Sequence, residues 1–260
     1  MRGMERIQLA AVFQSYGKNP AGDRISEHGK NPAGDRISEH GKGIFMKTLI
    51  VTGGTVDHSF AEAYCKEQDF DYFIAADSGI RFFVQAGIRP DEVLGDFDSA
   101  DPAQLARLRS DPHIAFHQYR PEKDAVDTEL ALQLALEKGS GEIHILGGTG
   151  TRLDHMLGTV RLLGFAMEQG KRCYLADAHN RIRLIRERTV LTKAGQYGDY
   201  ISLLPLTTQV TGVTLKGFKY PLEAYTLAGF SSLGISNEIV QEQAVIELEE
   251  GILILVESRD

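Results

Sequence analysis

The sequence predicts an α/β fold, with an N-terminal, mostly parallel Rossmann-like sheet flanked by helices and a C-terminal all-β sandwich or barrel domain. Three observations predict it. Up to about residue 187, short apolar runs alternate with helical segments, as in βαβ units. After about residue 188, short β-rich runs are separated by Gly, Pro or Asn, and helical periodicity nearly vanishes. The 260 residues are 42% hydrophobic and 25% charged, enough for a sizeable core.

In the first half, each apolar run that ends at a Gly or Asp is interpreted as a strand, and each amphipathic segment before a Gly as a helix. Strands are expected at 47–54, 71–76, 93–94, 114–117, 143–146 and 172–176. Helices are expected at 60–68, 78–86, 102–109, 127–138 and 154–169. In the second half, strands are expected at 200–206, 209–215, 217–222, 244–249 and 252–257. We therefore expect an α/β domain over 46–187 and an all-β domain over 188–260.

Residues 1–45 do not fit this pattern. The polar sequence GKNPAGDRISEH occurs at 17–28 and again, unchanged, at 29–40. An exact tandem repeat of this composition is typical of a leader or vector-derived segment, although a native disordered arm is the alternative. We expect the folded protein to begin at Met46.

Composition excludes several classes of protein. A net charge of -8 argues against nonspecific binding to nucleic acid or to an anionic membrane. Cys65 and Cys173 have no spacing typical of a zinc site or a disulfide scaffold, which favours a reducing cytoplasm. No apolar run is long enough to span a bilayer, and the N-terminus lacks the features of a signal peptide. We expect a cytoplasmic protein with no nucleic-acid or membrane partner.

Two carboxylates follow the short apolar run at residues 93–94. Asp96 and Asp98 stand two apart, and residues with this spacing point the same way on an extended segment. Their mutual repulsion is relieved by a hard cation, and Mg²⁺ prefers carboxylate oxygens while keeping waters for a phosphate partner. The alternative is a solvated acidic turn. In open α/β sheets, ligands bind beyond the carboxyl ends of the strands, which is where these residues stand.

Two further groups of residues point to the same edge. Asp77 ends a predicted strand, and Lys123, Asp124, Asp127 and Thr128 lead into a predicted helix. A lysine among carboxylates suits a phosphate-bearing ligand. The alternative makes Asp124 the N-cap of that helix, with Asp127 near its third position.

The segment 147–152, GGTGTR, joins a predicted strand to a predicted helix. Its glycines allow backbone N–H groups to approach a phosphate, and Arg152 has the forked geometry that holds phosphate oxygens. A tight structural turn, with Asp154 as an early helix residue, is the alternative. His155 is interpreted as structural, and the spacings of the Walker A and G-x-G-x-x-G motifs are absent from the chain.

Taken together, five motifs resemble those of the thiamine pyrophosphokinase family. They are AADSG (75–79), GDFDS (95–99), KDAVDTE (123–129), GGTGTRLDH (147–155) and SSLGISNE (231–238). The resemblance implies a Mg²⁺-dependent homodimeric enzyme that transfers pyrophosphate from ATP to the hydroxyl of thiamine and releases AMP. It also implies a thiamine site between the α/β domain of one chain and the β domain of its partner.

The resemblance assigns expected roles to individual residues. The expected metal ligands are Asp77, Asp96, Asp98, Asp124 and Asp127. Catalytic roles are expected for Asp98, Asp127, Lys123 and Arg152. Contacts to ATP or thiamine are expected for Asp77, Gly95, Asp124, Thr128, Gly148, Thr149, Gly150, Asp154, Ser236 and Asn237. Asp98 and Asp127 both remain candidates for the base that takes the thiamine hydroxyl proton.

The chain departs from the family pattern at three points. Thr151 replaces a glycine, which would cost on the order of 1–2 kcal/mol if the position required a positive φ. Ser78 replaces a second glycine, and the chain contains no Trp to stack on thiamine. Two other functions use the same features: a non-catalytic nucleotide or metal sensor, and a Mg²⁺-dependent phosphohydrolase that directs water with the Asp cluster.

Overall fold

The computed structural model describes residues 45–98, 101–119 and 125–260. Phe45–Asp260 forms one compact unit. The helices are α1 His58–Gln68, α2 Ile80–Ala86, α3 Pro102–Arg109, α4 Asp127–Glu137 and α5 Leu153–Glu168. No helix among the described residues is long and apolar enough to cross a membrane.

The strands form two sheets. They are β1 Lys47–Val51, β2 Tyr72–Ala76, β3 Glu92–Gly95, β4 Ala115–Gln118, β5 Glu142–Leu146, β6 Arg172–Ala176, β7 Asn180–Ile185, β8 Thr189–Thr192, β9 Tyr200–Pro205, β10 Gln209–Lys216, β11 Leu222–Ala228, β12 Gln243–Glu247 and β13 Leu253–Ser258. The first sheet has nine strands in the order β4-β3-β2-β1-β5-β6-β7-β13-β9, and the second has the order β11-β10-β12-β8.

The strand order reverses beside β1. This strand is parallel to β2 on one side and to β5 on the other, so the chain builds the sheet first in one direction and then in the other. Such a switch point, beyond the carboxyl ends of β1 and β5, is where doubly wound sheets bind ligands.

Alternate side chains of β1 enter different cores. Leu49 and Val51 pack with the buried aromatic residues of α1 and α2, while Ile50 packs against α4 and α5. Both faces of this strand are therefore covered by helices, as expected of a parallel sheet whose strands are continuous apolar runs. This packing fixes the ends of β1 and β5 and the loops beyond them.

The C-terminal strands build a sandwich. β13 pairs antiparallel with both β7 and β9 at the far end of the large sheet, and a third core of buried side chains joins these strands to the four-stranded sheet. The predicted fold class is confirmed. The division at residue 188 stays a prediction, because one sheet contains strands from both sides of it.

The local strand predictions were wrong in two respects. β7, β8 and β11 were not expected, and the strand expected at 217–222 is absent. There, β10 ends at Lys216, Gly217 has φ +79°, and a Cβ on Gly217 would collide with the backbone oxygen of Gln243, so the chain turns. The helix α4 begins at Asp127, as predicted, and its N-cap is Val126, so the alternative that placed Asp127 near the third helical position is not observed.

Candidate functional site

A cleft of about 690 Å³ lies at the switch point between β1 and β5. It is lined by the loops after these strands, by the starts of α4 and α5, and by the acidic ends of β2 and β3. Its charged lining residues are Asp77, Arg81, Asp96, Asp127 and Arg152, with His155 beside them. The parallel sheet thus brings together side chains that are far apart in sequence.

Two glycine loops make the close approach at the base of the cleft possible. A Cβ on Gly54 would collide with the backbone oxygen of Gly147, and a Cβ on Gly150 would lie 3.2 Å from the nitrogen of Thr55. The loop after β1 and the loop after β5 therefore pack backbone to backbone. Only residues without a side chain leave room for this contact and for a ligand above it.

Asp77 is held over one of these loops. It follows β2 in a short 3₁₀ turn with φ +51°, a conformation that non-glycine residues seldom adopt. Its Oδ2 would lie only 2.5 Å from a Cβ on Gly53. Gly95 lies behind it, since a Cβ there would be 3.3 Å from the Asp77 Cα. Gly95 supports Asp77 and does not line the cleft.

The two carboxylates after β3 are not equivalent. Asp96 lines the cleft and accepts a 3.0 Å hydrogen bond from the backbone nitrogen of Asp98. Between them, Phe97 is buried with φ +65° and packs 6.2 Å from the ring of Phe116. Burying this ring turns the chain, so Asp98 is exposed and lies outside the cleft lining.

The start of α4 provides the third carboxylate. Asp127 and Thr128, both predicted site residues, line the cleft at the first turn of this helix. Helix N-termini favour negative charge, which helps to keep a carboxylate or a phosphate there. Lys123 and Asp124, the other two predicted residues of this segment, lie outside the described residues.

The glycine-rich loop takes an unstrained path. Gly147 has φ +79°, but Thr151 has no positive φ, so the strain considered for this threonine does not arise. Gly148 and Gly150 line the cleft, while Thr149 lines a smaller adjoining cavity. A Cβ on Gly148 would lie 2.7 Å from the side chain of Leu175, so packing accounts for the glycine at position 148.

Arg152 and Asp154 form an exposed ion pair at the start of α5. The guanidinium donates to both carboxylate oxygens, at 2.6 and 3.3 Å, and these bonds hold the pKa of Asp154 below its usual value. Arg152 lines the cleft and Asp154 does not. Arg81 and the exposed His155 also line the cleft. The sequence analysis did not identify Arg81, although it stands four residues after Asp77.

The donors in the cleft suit Mg²⁺. Among the described residues, no three His, Cys, Asp or Glu side chains lie close enough together to enclose a metal ion. Mg²⁺ does not require such a cage, because it keeps several waters and is usually held by one or two carboxylates and the substrate's phosphates. The carboxylates of Asp77, Asp96 and Asp127, all on the cleft wall, fit that requirement.

The predicted thiamine loop lies in the sandwich. Ser236 is exposed with φ +56°, and its backbone nitrogen donates to Ser202 Oγ at 3.0 Å. Asn237 is buried, and its side chain bonds Tyr220: Oδ1 accepts from the backbone nitrogen at 3.0 Å and Nδ2 donates to the oxygen at 2.8 Å. Asn237 therefore fixes the turn that carries the exposed ring of Tyr220.

The cleft and the sandwich loop are separate surfaces of the chain. Among the described residues, none beyond Asn180 lines the cleft or the smaller cavity beside it. The loop at 229–237 carries exposed apolar side chains, Phe230, Leu233 and Ile235. A second exposed apolar group flanks the cleft: Val126, Leu153 and Leu157.

A doubly wound sheet with an acidic, glycine-lined cleft at its switch point, joined to an antiparallel sandwich, defines an α/β protein with a ligand-binding cleft. Family models match both halves: the thiamin pyrophosphokinase catalytic domain over residues 64–175 and its vitamin B1 binding domain over residues 187–253. The chain belongs to the thiamine pyrophosphokinase family, whose members are enzymes (thiamine diphosphokinases) of thiamine diphosphate biosynthesis.

Individual relatives agree with this assignment. The thiamine pyrophosphokinase of Bacillus subtilis (strain 168) is 34% identical over 215 residues, which cover 83% of this chain and 100% of the relative. The crystal structure of thiamine pyrophosphokinase from Bacillus subtilis has a TM-score of 0.73 at 32% identity, covering 82% of this chain and 99% of that one. The thiamin pyrophosphokinase structure from Geobacillus thermodenitrificans has a TM-score of 0.71 at 30% identity, covering 83% and 98%.

Proposed function

We propose that this chain transfers pyrophosphate from ATP to the hydroxyl of thiamine in the cleft between β1 and β5, forming thiamine diphosphate and AMP. The observation that carries the proposal is the cleft itself, where three carboxylates and two facing glycine loops meet. Backbone N–H groups of the glycine loop and the N-termini of α4 and α5 would bind the triphosphate, with Thr128 and Arg152 beside it. Lys123 would join them.

One or two of the carboxylates of Asp77, Asp96 and Asp127 would hold Mg²⁺ together with the phosphates of ATP, and Asp98 and Asp124 are further predicted ligands. When bound, the ion would neutralise the charge that develops on the phosphate oxygens and fix their geometry. Asp77 follows β2, Asp96 follows β3 and Asp127 begins α4. Carboxylates on three different elements would position the triphosphate from several sides before the reaction.

The thiamine hydroxyl must lose its proton as its oxygen attacks the β-phosphorus of ATP. Asp127 is the better supported acceptor of the two candidates, because it lines the cleft and Asp98 does not. An acceptor must lie within hydrogen-bond reach of the proton it takes. The leaving group, AMP, departs on the opposite side of the phosphorus.

Thiamine would bind at a boundary between two copies of the chain. The vitamin B1 binding segment at 187–253 contributes no described residue to the cleft, which supports a site whose two surfaces come from different copies. The exposed apolar side chains of the sandwich loop and those beside the cleft are suited to cover each other between copies. A two-fold dimer would then contain two equal sites. Both cysteines are free, in keeping with a cytoplasmic location.

Thiamine-dependent formation of AMP tests the proposal. Purified protein with ATP and Mg²⁺ is expected to form AMP only when thiamine is added, with one thiamine diphosphate per AMP, and chelation of Mg²⁺ should stop both. A nucleotide sensor would form neither product. A phosphohydrolase would release phosphate or AMP without thiamine, and that result would reject the transfer reaction.

A further inference from the structure

A small cluster of side chains packs beside the loop that carries Asp96. Phe97 is 8% exposed, and its ring packs against that of Phe116 on β4, with centroids 6.2 Å apart. The guanidinium of Arg109, in the last turn of α3, lies over both rings, 5.7 Å from the centroid of Phe97 and 5.5 Å from that of Phe116. We call Phe97, Phe116 and Arg109 the ring cluster. It does not line the cleft.

Arg109 is attached to the strand that it covers. Its Nη2 donates a hydrogen bond to Oε1 of Gln118 at 3.3 Å, and Gln118 is paired with Gly95 where β4 lies beside β3. A cation within about 6 Å of a ring centroid is attracted to the face of the ring. Arg109 therefore links the end of α3 to the ends of β3 and β4, across the ring of Phe97.

The buried ring of Phe97 sets the path of the loop. Phe97 has φ +65°, a conformation that a bulky residue keeps only when the surrounding structure holds it there. On one side of it, Asp96 lines the cleft, and on the other, the backbone nitrogen of Asp98 donates to Asp96 Oδ1 at 3.0 Å. Without the ring, the backbone would gain by returning to a negative φ. That change would move the Asp98 nitrogen away from the carboxylate that it holds.

The same ring supports a second carboxylate through Gly95. A Cβ on Gly95 would lie 3.7 Å from Cε1 of the Phe97 ring and 3.3 Å from both Cα and the backbone nitrogen of Asp77. The ring, the backbone of Gly95 and the backbone of Asp77 therefore lie side by side. A shift of the ring would displace Asp77 as well as Asp96, although the two carboxylates follow different strands.

A metal site tolerates little displacement of its carboxylates. Mg²⁺ demands near-ideal octahedral geometry, with metal–oxygen distances of about 2.0–2.1 Å. Removing a group that holds a metal ligand in place, without itself touching the metal, typically costs about 10–100-fold in metal affinity. The ring cluster is placed to hold two of the three carboxylates on the cleft wall in this way.

We propose that Phe97 and Arg109 are positioning residues for the metal site, and that the ring cluster fixes the carboxylates of Asp96 and Asp77 relative to each other. The inference rests on the proposed function in one respect, that these carboxylates hold the metal ion. It assigns a role to Arg109, which lies outside the five sequence motifs.

Metal binding without turnover tests this inference. Mn²⁺, a paramagnetic substitute for Mg²⁺, would be titrated with α,β-methylene ATP, in which the bond to be broken is replaced by a stable one. Electron paramagnetic resonance would measure the bound ion. We expect Phe97→Ala to weaken Mn²⁺ binding about tenfold or more. Arg109→Ala should weaken it about threefold, the scale of an exposed contact between a cation and a ring.

Two matched controls separate positioning from folding stability and from charge. Phe70 is also 8% exposed and belongs to the same buried cluster as Phe97, but it precedes β2 at the end of the sheet away from the cleft. Phe70→Ala should lower the melting temperature, as Phe97→Ala does, and leave Mn²⁺ binding unchanged. Arg107→Ala removes the other arginine from the last turn of α3 and should change neither quantity.

Steady-state kinetics give a second measurement. We expect Arg109→Ala to raise the Mg²⁺ concentration for half-maximal turnover about threefold and to leave kcat at saturating Mg²⁺ close to that of wild type. Arg109→Lys keeps a cation over the rings and should recover part of the lost affinity. A general loss of stability would not produce this separation between metal affinity and kcat.

Three results would overturn the inference. They are unchanged Mn²⁺ binding in folded Phe97→Ala, equal weakening in Phe97→Ala and Phe70→Ala, and equal weakening in Arg109→Ala and Arg107→Ala. If Phe97→Ala does not fold, the comparison of the two arginine variants decides alone.

Failure of the proposed function looks different. The wild-type protein would bind Mn²⁺ with the nucleotide, and the variants would differ as expected, but no thiamine-dependent AMP would form. Absence of Mn²⁺ binding in the wild-type protein would reject both the metal role of the carboxylates and this inference.

Discussion

Asp96 and Asp98 show how one buried ring separates two residues that look equivalent in sequence. The spacing predicted that both carboxylates share a side of an extended segment. Instead, Phe97 turns into the core with a positive φ, and only Asp96 lines the cleft. A positive φ at a phenylalanine is decided by tertiary packing, so the local pattern did not reveal it.

Asp96→Asn is predicted to reduce turnover about a hundredfold or more, the scale of lost electrostatic stabilisation. The amide oxygen can still accept from the backbone nitrogen of Asp98, so the turn should persist. Removing one of several like charges should leave the unliganded protein no less stable. The measurement is steady-state kinetics with thermal unfolding.

Asp101→Asn is the matched control for this substitution. Asp101 caps α3 three residues beyond Asp98 and does not line the cleft, and Asn caps helices as well as Asp does. Its turnover should stay close to wild type. Normal turnover in Asp96→Asn would show that this carboxylate is not part of the metal site.

Asn237→Ala is predicted to raise the KM for thiamine about tenfold, or about 1.4 kcal/mol, and to leave ATP binding unchanged. The structure supplies a cause the sequence did not: the side chain holds both backbone groups of Tyr220, so its loss frees the turn that carries this exposed ring. Kinetics at varied thiamine and calorimetry with ATP would measure the two effects.

Loss of folding stability alone must be separated from this positioning role. Thr207→Ala removes comparable side-chain hydrogen bonds, to Gln209 and Ile252, elsewhere in the sandwich. It should lower the melting temperature without a change in the KM for thiamine. If Asn237→Ala did the same, Asn237 would have no role in thiamine binding beyond stability.

At the scale of elements, the parallel strands were predicted well because their apolar runs are buried on both faces. β7, with the sequence NRIRLI, was missed because only continuous apolar runs were interpreted as strands in this half, although alternation of arginine with apolar residues also indicates a strand. The sheet places both arginines beside the ring of Tyr174. Its pairing with β13 joins residues such as Ile182 and Val256, far apart in sequence. No local pattern indicates that partnership, so the extension of the sheet across residue 188 was not foreseen.

Glu92 fixes β3 to its neighbours at the end of the sheet opposite the cleft. It is 1% exposed and bonds Tyr72, His117 and Lys138 at 2.5, 2.6 and 2.5 Å. Burial alone would raise the pKa of this carboxyl, but the three bonds outweigh it and lower the pKa to about 2. Because the pKa is lower in the folded protein than in the unfolded chain, the ionised carboxylate stabilises the fold at pH values above 4.5. This contribution is lost as the pH falls from 4.5 toward 2.

Glu92→Gln is therefore predicted to lower the free energy of unfolding at pH 7 by up to about 3 kcal/mol. Its stability should also fall less steeply than that of wild type between pH 4.5 and pH 2. Chemical denaturation across this range measures both effects. Turnover at pH 7 should be unchanged, because the cleft lies at the other end of the strands.

Glu137→Gln, on the exposed surface at the end of α4, is the control for charge alone and should change stability little. If the stability of Glu92→Gln fell as steeply as that of wild type between pH 4.5 and pH 2, another group would dominate acid unfolding.

At the scale of the whole molecule, residues 1–45 are predicted to be dispensable. The exact repeat lies within them, and the compact unit begins at Phe45. A chain beginning at Met46 should keep the melting temperature and turnover of the full chain. A large loss in either, measured by thermal unfolding and kinetics on the two proteins side by side, would show that this segment supports the fold.

The site is predicted to be shared between two copies of the chain. Among the described residues, those that line the cleft end at Thr159 and those that line the smaller cavity end at Asn180. The sandwich loop at 229–237 follows β11 and lies on a separate surface. A chain with Asp96→Asn retains a normal sandwich loop, and a chain with Ser236→Trp and Asn237→Ala retains a normal cleft. Each alone should be nearly inactive. In a heterodimer, one of the two sites combines the intact cleft of one chain with the intact loop of the other.

Co-expressed chains with different affinity tags, purified through both tags, would provide verified heterodimers. Because one of two sites is rebuilt, activity should return to about half of the wild-type value per dimer, as two-fold symmetry requires. The matched control is a heterodimer in which one chain carries both sets of substitutions and the other is wild type: its intact cleft and intact loop lie in the same chain, so a shared site leaves it inactive. The opposite pattern, in which the control is active and the complementing pair is not, would place both surfaces of each site within one chain.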